Sequence, residues 1–131
     1  MIFIKINDTM YPAIIEGSMH DAYWDNRQSK AITLEMDYAK AVELFIDGVE
    51  WSIVEHQRVP VFEVDENGEY IVDENGEYVQ SKMTIEKTEF DNSEYSLAGD
   101  ITDHRDGTIT VKMGKLTDLE EAYEIMLGGA E

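Results

Sequence analysis

The sequence predicts an α+β fold: a mainly antiparallel sheet, or a partly open barrel, with two helices in the order β-β-β-α-β, an acidic β-hairpin, then β-β-β-α. Three observations lead there. Apolar residues alternate with period two along much of the chain, beginning at Ile2, Ile4 and Ile6. Only two segments switch to helical spacing, each behind a capping residue. Short turn signals, not long crossovers, separate the strands, which suits antiparallel neighbours. With 131 residues, the chain has the length of a single domain.

In the first strand Ile2, Ile4 and Ile6 alternate with Phe3 and Lys5, and Asn7-Asp8 suits a tight turn because both residues tolerate positive φ. Tyr11 to Ile15 returns as a second strand. Pro12 cannot donate a ladder hydrogen bond, so this strand is expected at an edge or a bulge. Residues 17–30 are polar and turn-rich and read as a loop with a short extended piece. Ala31 to Met36 is the third strand.

Asp37 caps a helix expected from Tyr38 to Ile46, with Tyr38, Ala41, Val42 and Phe45 on one apolar stripe and Gly48 supplying a left-handed C-terminal residue. Trp51, Ile53 and Val54 start the next strand, with Trp51 in the core. Residues 64–79 hold an octad repeat, VDENGEYI then VDENGEYV, with turn signals at Asn67-Gly68 and Asn75-Gly76 that suit type I′ turns. Either the two turns make a small meander, or one copy lengthens the tip of a single hairpin. The six acids in this segment repel one another and mark a solvated, mobile projection.

Met83 to Phe90 resumes strand character. Tyr95 to His104 and Thr108 to Met113 form a hairpin. A three-residue loop, Arg105-Asp106-Gly107, places Leu97, Ile101, Ile109, Val111 and Met113 on one face; a two-residue loop would split them. The last helix spans Asp118 to about Leu127. Thr117 and Glu120 form its capping box, Leu119, Ala122, Tyr123 and Met126 its apolar face, and Gly128-Gly129 its stop.

The net charge of −19 argues against direct binding to nucleic acid or anionic membranes, which need clustered Lys and Arg. It fits a basic partner, and the acids concentrate after residue 58, with 19 acidic against 5 basic side chains. With no cysteine there is neither a disulfide framework nor a thiolate metal site. The opening MIFIKIND is strand-like, so no signal peptide is expected, and no apolar run is long enough for a membrane span.

Each candidate chemical site in the sequence has a plainer reading. Asp65, Asn67, Glu69 and Asp73 follow part of an EF-hand spacing, but Tyr70 stands where glycine is required and Gly76 where a bidentate glutamate is required. His20, His56 and His104 do not cluster; His104 beside Asp103 and Asp106 has the elements of a metal ligand or base, but reads more simply as a turn histidine. No nucleophile elbow, P-loop or dinucleotide fingerprint occurs. No catalytic, cofactor-binding or metal residue is therefore expected. The Tyr23–Arg27 loop differs: Tyr23, Trp24, Asp25 and Arg27 combine aromatic and Arg side chains of the kind that anchor interfaces, unless Trp24 folds back to plug the sheet edge.

The stretches YPAIIEGSMHDAYWDNRQSKAITLEMDYAKAVELFIDGVEWSIVE and DNSEYSLAGDITDHRDGTITVKMGKLTDLEEAYEIML resemble small prophage-encoded proteins of Firmicutes whose genes lie near tail and baseplate genes. The resemblance spans most of the chain outside the octads and rests on the whole pattern, so it carries over no functional residue. It implies a structural or accessory role beside a phage tail. The expectation is a non-enzymatic protein–protein interaction module without cofactor. Its partner would be a tail component or a further copy of itself in a homo-oligomer, with no nucleic acid and no membrane. It would stay in the cytoplasm until assembly on a virion. The alternative is an acidic inhibitor that mimics nucleic acid and occupies a basic host protein.

Overall fold

In the computed structural model, which describes residues 1–129 and side chains as far as Leu127, seven strands form one open antiparallel sheet. They are β1 (Ile2–Ile6), β2 (Thr9–Asp21), β3 (Arg27–Glu35), β4 (Ser52–Phe62), β5 (Gln80–Asp91), β6 (Leu97–Asp103) and β7 (Thr108–Gly114), in the spatial order β5-β4-β1-β2-β3-β7-β6. Helix α1 (Tyr38–Leu44) follows β3 and α2 (Asp118–Gly129) closes the described chain. The architecture is the expected α+β arrangement with an open sheet.

Period-two patterning places the core on one face. Ile4 and Ile6 of β1, Ile32 and Leu34 of β3, and Ile109, Val111 and Met113 of β7 are buried there. Ala41 of α1 and Phe45 at its C-terminal cap cover them, together with Trp51 and Tyr95. Asp37 caps α1 as expected, accepting the Lys40 N–H at 2.8 Å. The helix stops at Leu44 and buries only Ala41, with Tyr38 and Val42 exposed, and Gly48 serves a separate turn, closed by Val49 N–H to the Ile46 carbonyl at 3.2 Å. The opposite face carries Lys5, Ile14, Thr33 and Thr110 and is largely open.

Asn7 and Asp8 both adopt positive φ, 51° and 63°, as the β1–β2 turn requires. The β6–β7 loop has the expected three-residue form, with Gly107 left-handed at φ 92°. A bulge between Ala98 and Ile101 changes the phase of β6, so Ala98 faces the core and Leu97, placed there by strict alternation, pairs with Gly114 on the other phase.

Two strand expectations are corrected. β2 is interior in the sheet order, and Pro12 is accommodated because it lies where β2 hands over its partners: it faces Phe3 of β1, and pairing with β3 begins only at Ala13↔Leu34. The polar stretch 17–30 is not a loop. β2 continues to Asp21 and β3 starts at Arg27, since a sheet with one open face tolerates polar side chains along a paired strand.

The octads are also differently built. Each closes its own small hairpin, through the bridges Val64↔Tyr70 and Val72↔Tyr78. The turns are not type I′: Gly68 and Gly76 alone take positive φ, while the Asp65 carboxylate accepts the N–H groups of Asn67 and Glu69, and Asp73 those of Asn75 and Glu77. Glu63, Ile71 and Val79, at eight-residue spacing, form a cyclic ring of backbone bonds: Ile71 N–H to Glu63 (3.0 Å), Val79 N–H to Ile71 (3.1 Å) and Glu63 N–H to Val79 (2.8 Å). Phe62, Tyr70 and Tyr78 pack above it with ring centroids 5.2–6.4 Å apart. Two hairpin leaves and the β4–β5 stem thus meet in a cloverleaf.

This geometry explains how a tandem copy is tolerated. Removing Val72–Val79 would leave Glu63 and Ile71 to exchange both hydrogen bonds as an ordinary antiparallel pair, continuing the β4–β5 ladder. Deleting one octad is expected to change unfolding free energy by less than about 0.5 kcal/mol, because no core contact is lost. Urea denaturation of the deletion variant checks this; a loss above about 2 kcal/mol would show that the leaves support the sheet.

Candidate functional site

On the open face a second, smaller packed unit forms where the β2–β3 turn meets β7 and α2. Asp25 and Asn26 both adopt positive φ, 57° and 56°, and the Asp21 carbonyl accepts from Trp24 and Asn26 at 3.0 and 2.8 Å. The turn lays Trp24 on Gly99 of β6 and Gly114 of β7. A Cβ at Gly99 would come within 2.8 Å of the indole, and one at Gly114 within 2.7 Å of Arg27 Cδ, so both positions need glycine for this contact. The Arg27 guanidinium lies 4.9 Å from the Trp24 ring centre, within cation–π range.

Arg27 is the hinge pin of this corner. It is 4% exposed, and its guanidinium donates twice to Glu120 of α2, at 2.6 and 3.1 Å, and once to the Lys115 carbonyl at 2.9 Å. Its Nε–H is buried without a partner. Glu120 also accepts the Thr117 N–H at 2.9 Å, while the Glu120 N–H donates to the Thr117 hydroxyl, so the expected capping box is present and shares its carboxylate with Arg27. The Arg27 guanidinium and the Thr117 N–H hold the Glu120 carboxyl down at about 2. Nearby, the Lys112 ammonium at 2.9 Å lowers the pKa of the buried Asp21, which also accepts from Ser29 and the Tyr23 N–H.

The four candidate anchor residues therefore separate. Trp24 is folded back on the sheet and Arg27 is consumed by Glu120, so neither is a free anchor. Asp25 is exposed and lies 3.6 Å from Arg27. Tyr23 is the one aromatic of the four that points into solvent, 96% exposed.

Sequence reading places α2 but misses its exposure. The helix was expected to bury Leu119, Ala122, Tyr123 and Met126, yet it stands clear of the sheet with Leu119 80%, Tyr123 62% and Met126 71% exposed. Among the described residues its only side-chain polar ties are the Arg27–Glu120 pair and the capping box. It extends to Gly129, two residues past the expected Leu127, and Ala130 and Glu131 lie outside the described residues.

The acidic groups elsewhere are turned to local work. Asp103 accepts the Arg105 N–H, and Asp106 accepts the Thr108 N–H and hydroxyl, the latter holding its pKa low; His104 Nε2 pairs with the Thr110 hydroxyl at 2.7 Å. The residues of the partial EF-hand spacing are divided between two leaves, since Asp65 and Asp73 each cap their own turn. Among the described residues no three His, Asp or Glu side chains are grouped to hold a metal ion, and no helix is long and apolar enough to cross a membrane. No family model matches the chain, and neither a curated protein nor a solved structure does.

Proposed function

We propose that the chain is a non-enzymatic protein–protein interaction module, accessory to a phage tail or baseplate, that docks through the apolar stripe of α2. The observation that carries this reading is the helix held off the sheet by its first turn, with Leu119, Tyr123 and Met126 in solvent. Large apolar side chains gathered on one exposed helical stripe carry a free-energy cost that a covering partner relieves. Asp118, Glu121 and Glu124 flank the stripe, so the partner surface is an apolar groove with a basic rim. The tail assignment is supported by the likeness to prophage proteins, and Tyr23, exposed in the β2–β3 turn, is a second apolar group open to a partner.

The test is co-sedimentation of the purified chain with tail particles of the phage that encodes it. The chain is expected in the pellet, and Tyr123→Glu or Met126→Glu is expected to weaken binding at least tenfold, as loss of a buried apolar anchor does. A chain that stays in the supernatant, or variants that pellet as well as the parent, would rule the reading out.

A further inference from the structure

The β4–β5 hairpin carries a surface that the α2 reading does not use. Pairing of β4 with β1 ends at Ile2↔Glu55 and the Met1–His56 backbone bond. Beyond it, Gln57–Phe62 and Gln80–Glu86 form a two-stranded arm that extends roughly 20 Å from the sheet and ends in the cloverleaf. Two strands alone are marginal in water, and every residue of β5 is exposed, including Met83 and Ile85.

The two edges of the arm differ. His56 directs its N–H to Met1, so the even-numbered residues of β4 face away from β5. Pro60 is one of these and brings no N–H to that edge, which blocks it at no loss to the β4–β5 ladder. Across the arm, the partners of these residues, Lys87, Ile85 and Met83, turn their N–H and carbonyl groups outward along β5. β5 contains neither proline nor glycine, and its pairing runs without a bulge from Asp91 to Lys82. In a chain of net charge −19, β5 is close to neutral, with Lys82 and Lys87 against Glu86, Glu89 and Asp91.

We infer that β5 pairs antiparallel with β5 of a second copy about a two-fold axis at Thr84, making one four-stranded ribbon of the two arms. This register sets Lys82 opposite Glu86 twice and Met83 opposite Ile85 twice, with Thr84 facing Thr84. Met83 and Ile85, whose backbone groups point outward, exchange the inter-copy hydrogen bonds. The alternatives are poorer: centring on Glu86 or Lys87 opposes like charges, centring on Ile85 forfeits both Lys–Glu pairs, and centring on Thr88 sets Lys87 against a Glu89 that Lys5 already holds at 3.4 Å and leaves Ile85 opposite Asp91. The opposite sheet edge is unsuited, because β6 is short, bulged and carries Asp100 and Asp103. The inference deepens the interaction-module reading by naming a second copy as the partner of one edge; it concerns a surface distinct from α2, so either can fail alone.

The native chain has no cysteine, which makes single-cysteine cross-linking clean. Thr84→Cys falls in a non-hydrogen-bonded pair across the axis, where side chains are closest, whereas the two copies of Thr88→Cys would be separated by roughly 26 Å. Under mild oxidation the Thr84→Cys dimer is expected to form at least tenfold faster than the Thr88→Cys dimer. Light scattering of the parent is expected to give twice the chain mass. Ile85→Pro, which removes one outward N–H and no β4–β5 bond, is expected to give a folded monomer that still pellets with tails through α2. A monomeric parent, equal cross-linking at the two positions, or a dimer that survives Ile85→Pro would overturn the inference. If Ile85→Pro does not fold, the two cysteine rates decide it.

Discussion

Trp51→Ala is expected to lower unfolding free energy by about 3–5 kcal/mol, the largest loss of any single truncation in this chain. The indole is 2% exposed and packs in the cluster under α1, and its N–H donates to the Tyr95 carbonyl at 3.0 Å. Truncation would remove its apolar contacts, leave a cavity between the sheet and the Tyr95 segment, and strand a buried carbonyl. Thermal denaturation is expected to show a melting temperature lower by roughly 10 °C or more. Trp24→Ala offers the contrast. Trp24 is only half-buried on a glycine platform, and its loss is expected to be about 1 kcal/mol. Equal losses at the two positions would contradict the separation of the two packed units.

The second large effect is at Glu120. Glu120→Ala leaves the buried Arg27 charge with only Asp25 at 3.6 Å and the Lys115 carbonyl, and removes the acceptor for the Thr117 N–H. Breaking a buried pair typically costs about 3–5 kcal/mol. Because the Glu120 side chain is 39% exposed, about 2–3 kcal/mol is expected here, read by urea denaturation. The same carboxylate gives a pH signature. Its folded pKa is depressed from 4.5 to about 2, so the stability it contributes is fully present above pH 4.5 and is lost as pH falls towards 2. Asp21, Asp91 and Asp106 are also held low, so the comparison is with Glu120→Gln, whose stability is expected to fall less steeply across that window. Parallel profiles for parent and variant would show that the pair is not formed in solution.

How much of this was legible beforehand follows from the range of each interaction. The Asp37 cap, the Thr117–Glu120 box and the Arg105–Gly107 loop are local, and residues a few positions apart announce them. The core face was legible at Ile32, Leu34, Ile109 and Val111 because alternation is decisive where one face is dry. The latched corner was not, since it joins Arg27 to Glu120 across 93 positions and needs Gly99 and Gly114 as a platform, and no local pattern marks such a glycine. Residues 17–30 misled for a related reason: polarity signals solvent, and a strand on an open sheet face meets solvent too. The repeat was obvious as a repeat, but ring closure by Glu63, Ile71 and Val79 depends on backbone directions that eight-residue spacing alone does not specify. α2 has amphipathic spacing, and that spacing does not say whether its apolar stripe is covered by the same chain or by another.

That last point is the centre of the account, and thiol labelling of Tyr123→Cys reads it directly, since the native chain offers no competing cysteine. In the free protein the thiol is expected to react as fast as one placed at the exposed Tyr23, and to become at least tenfold slower once the chain is bound to tail particles. Slow labelling in the free protein would mean that α2 lies against its own sheet, and unchanged labelling in the bound state would mean that the stripe is not the docking surface.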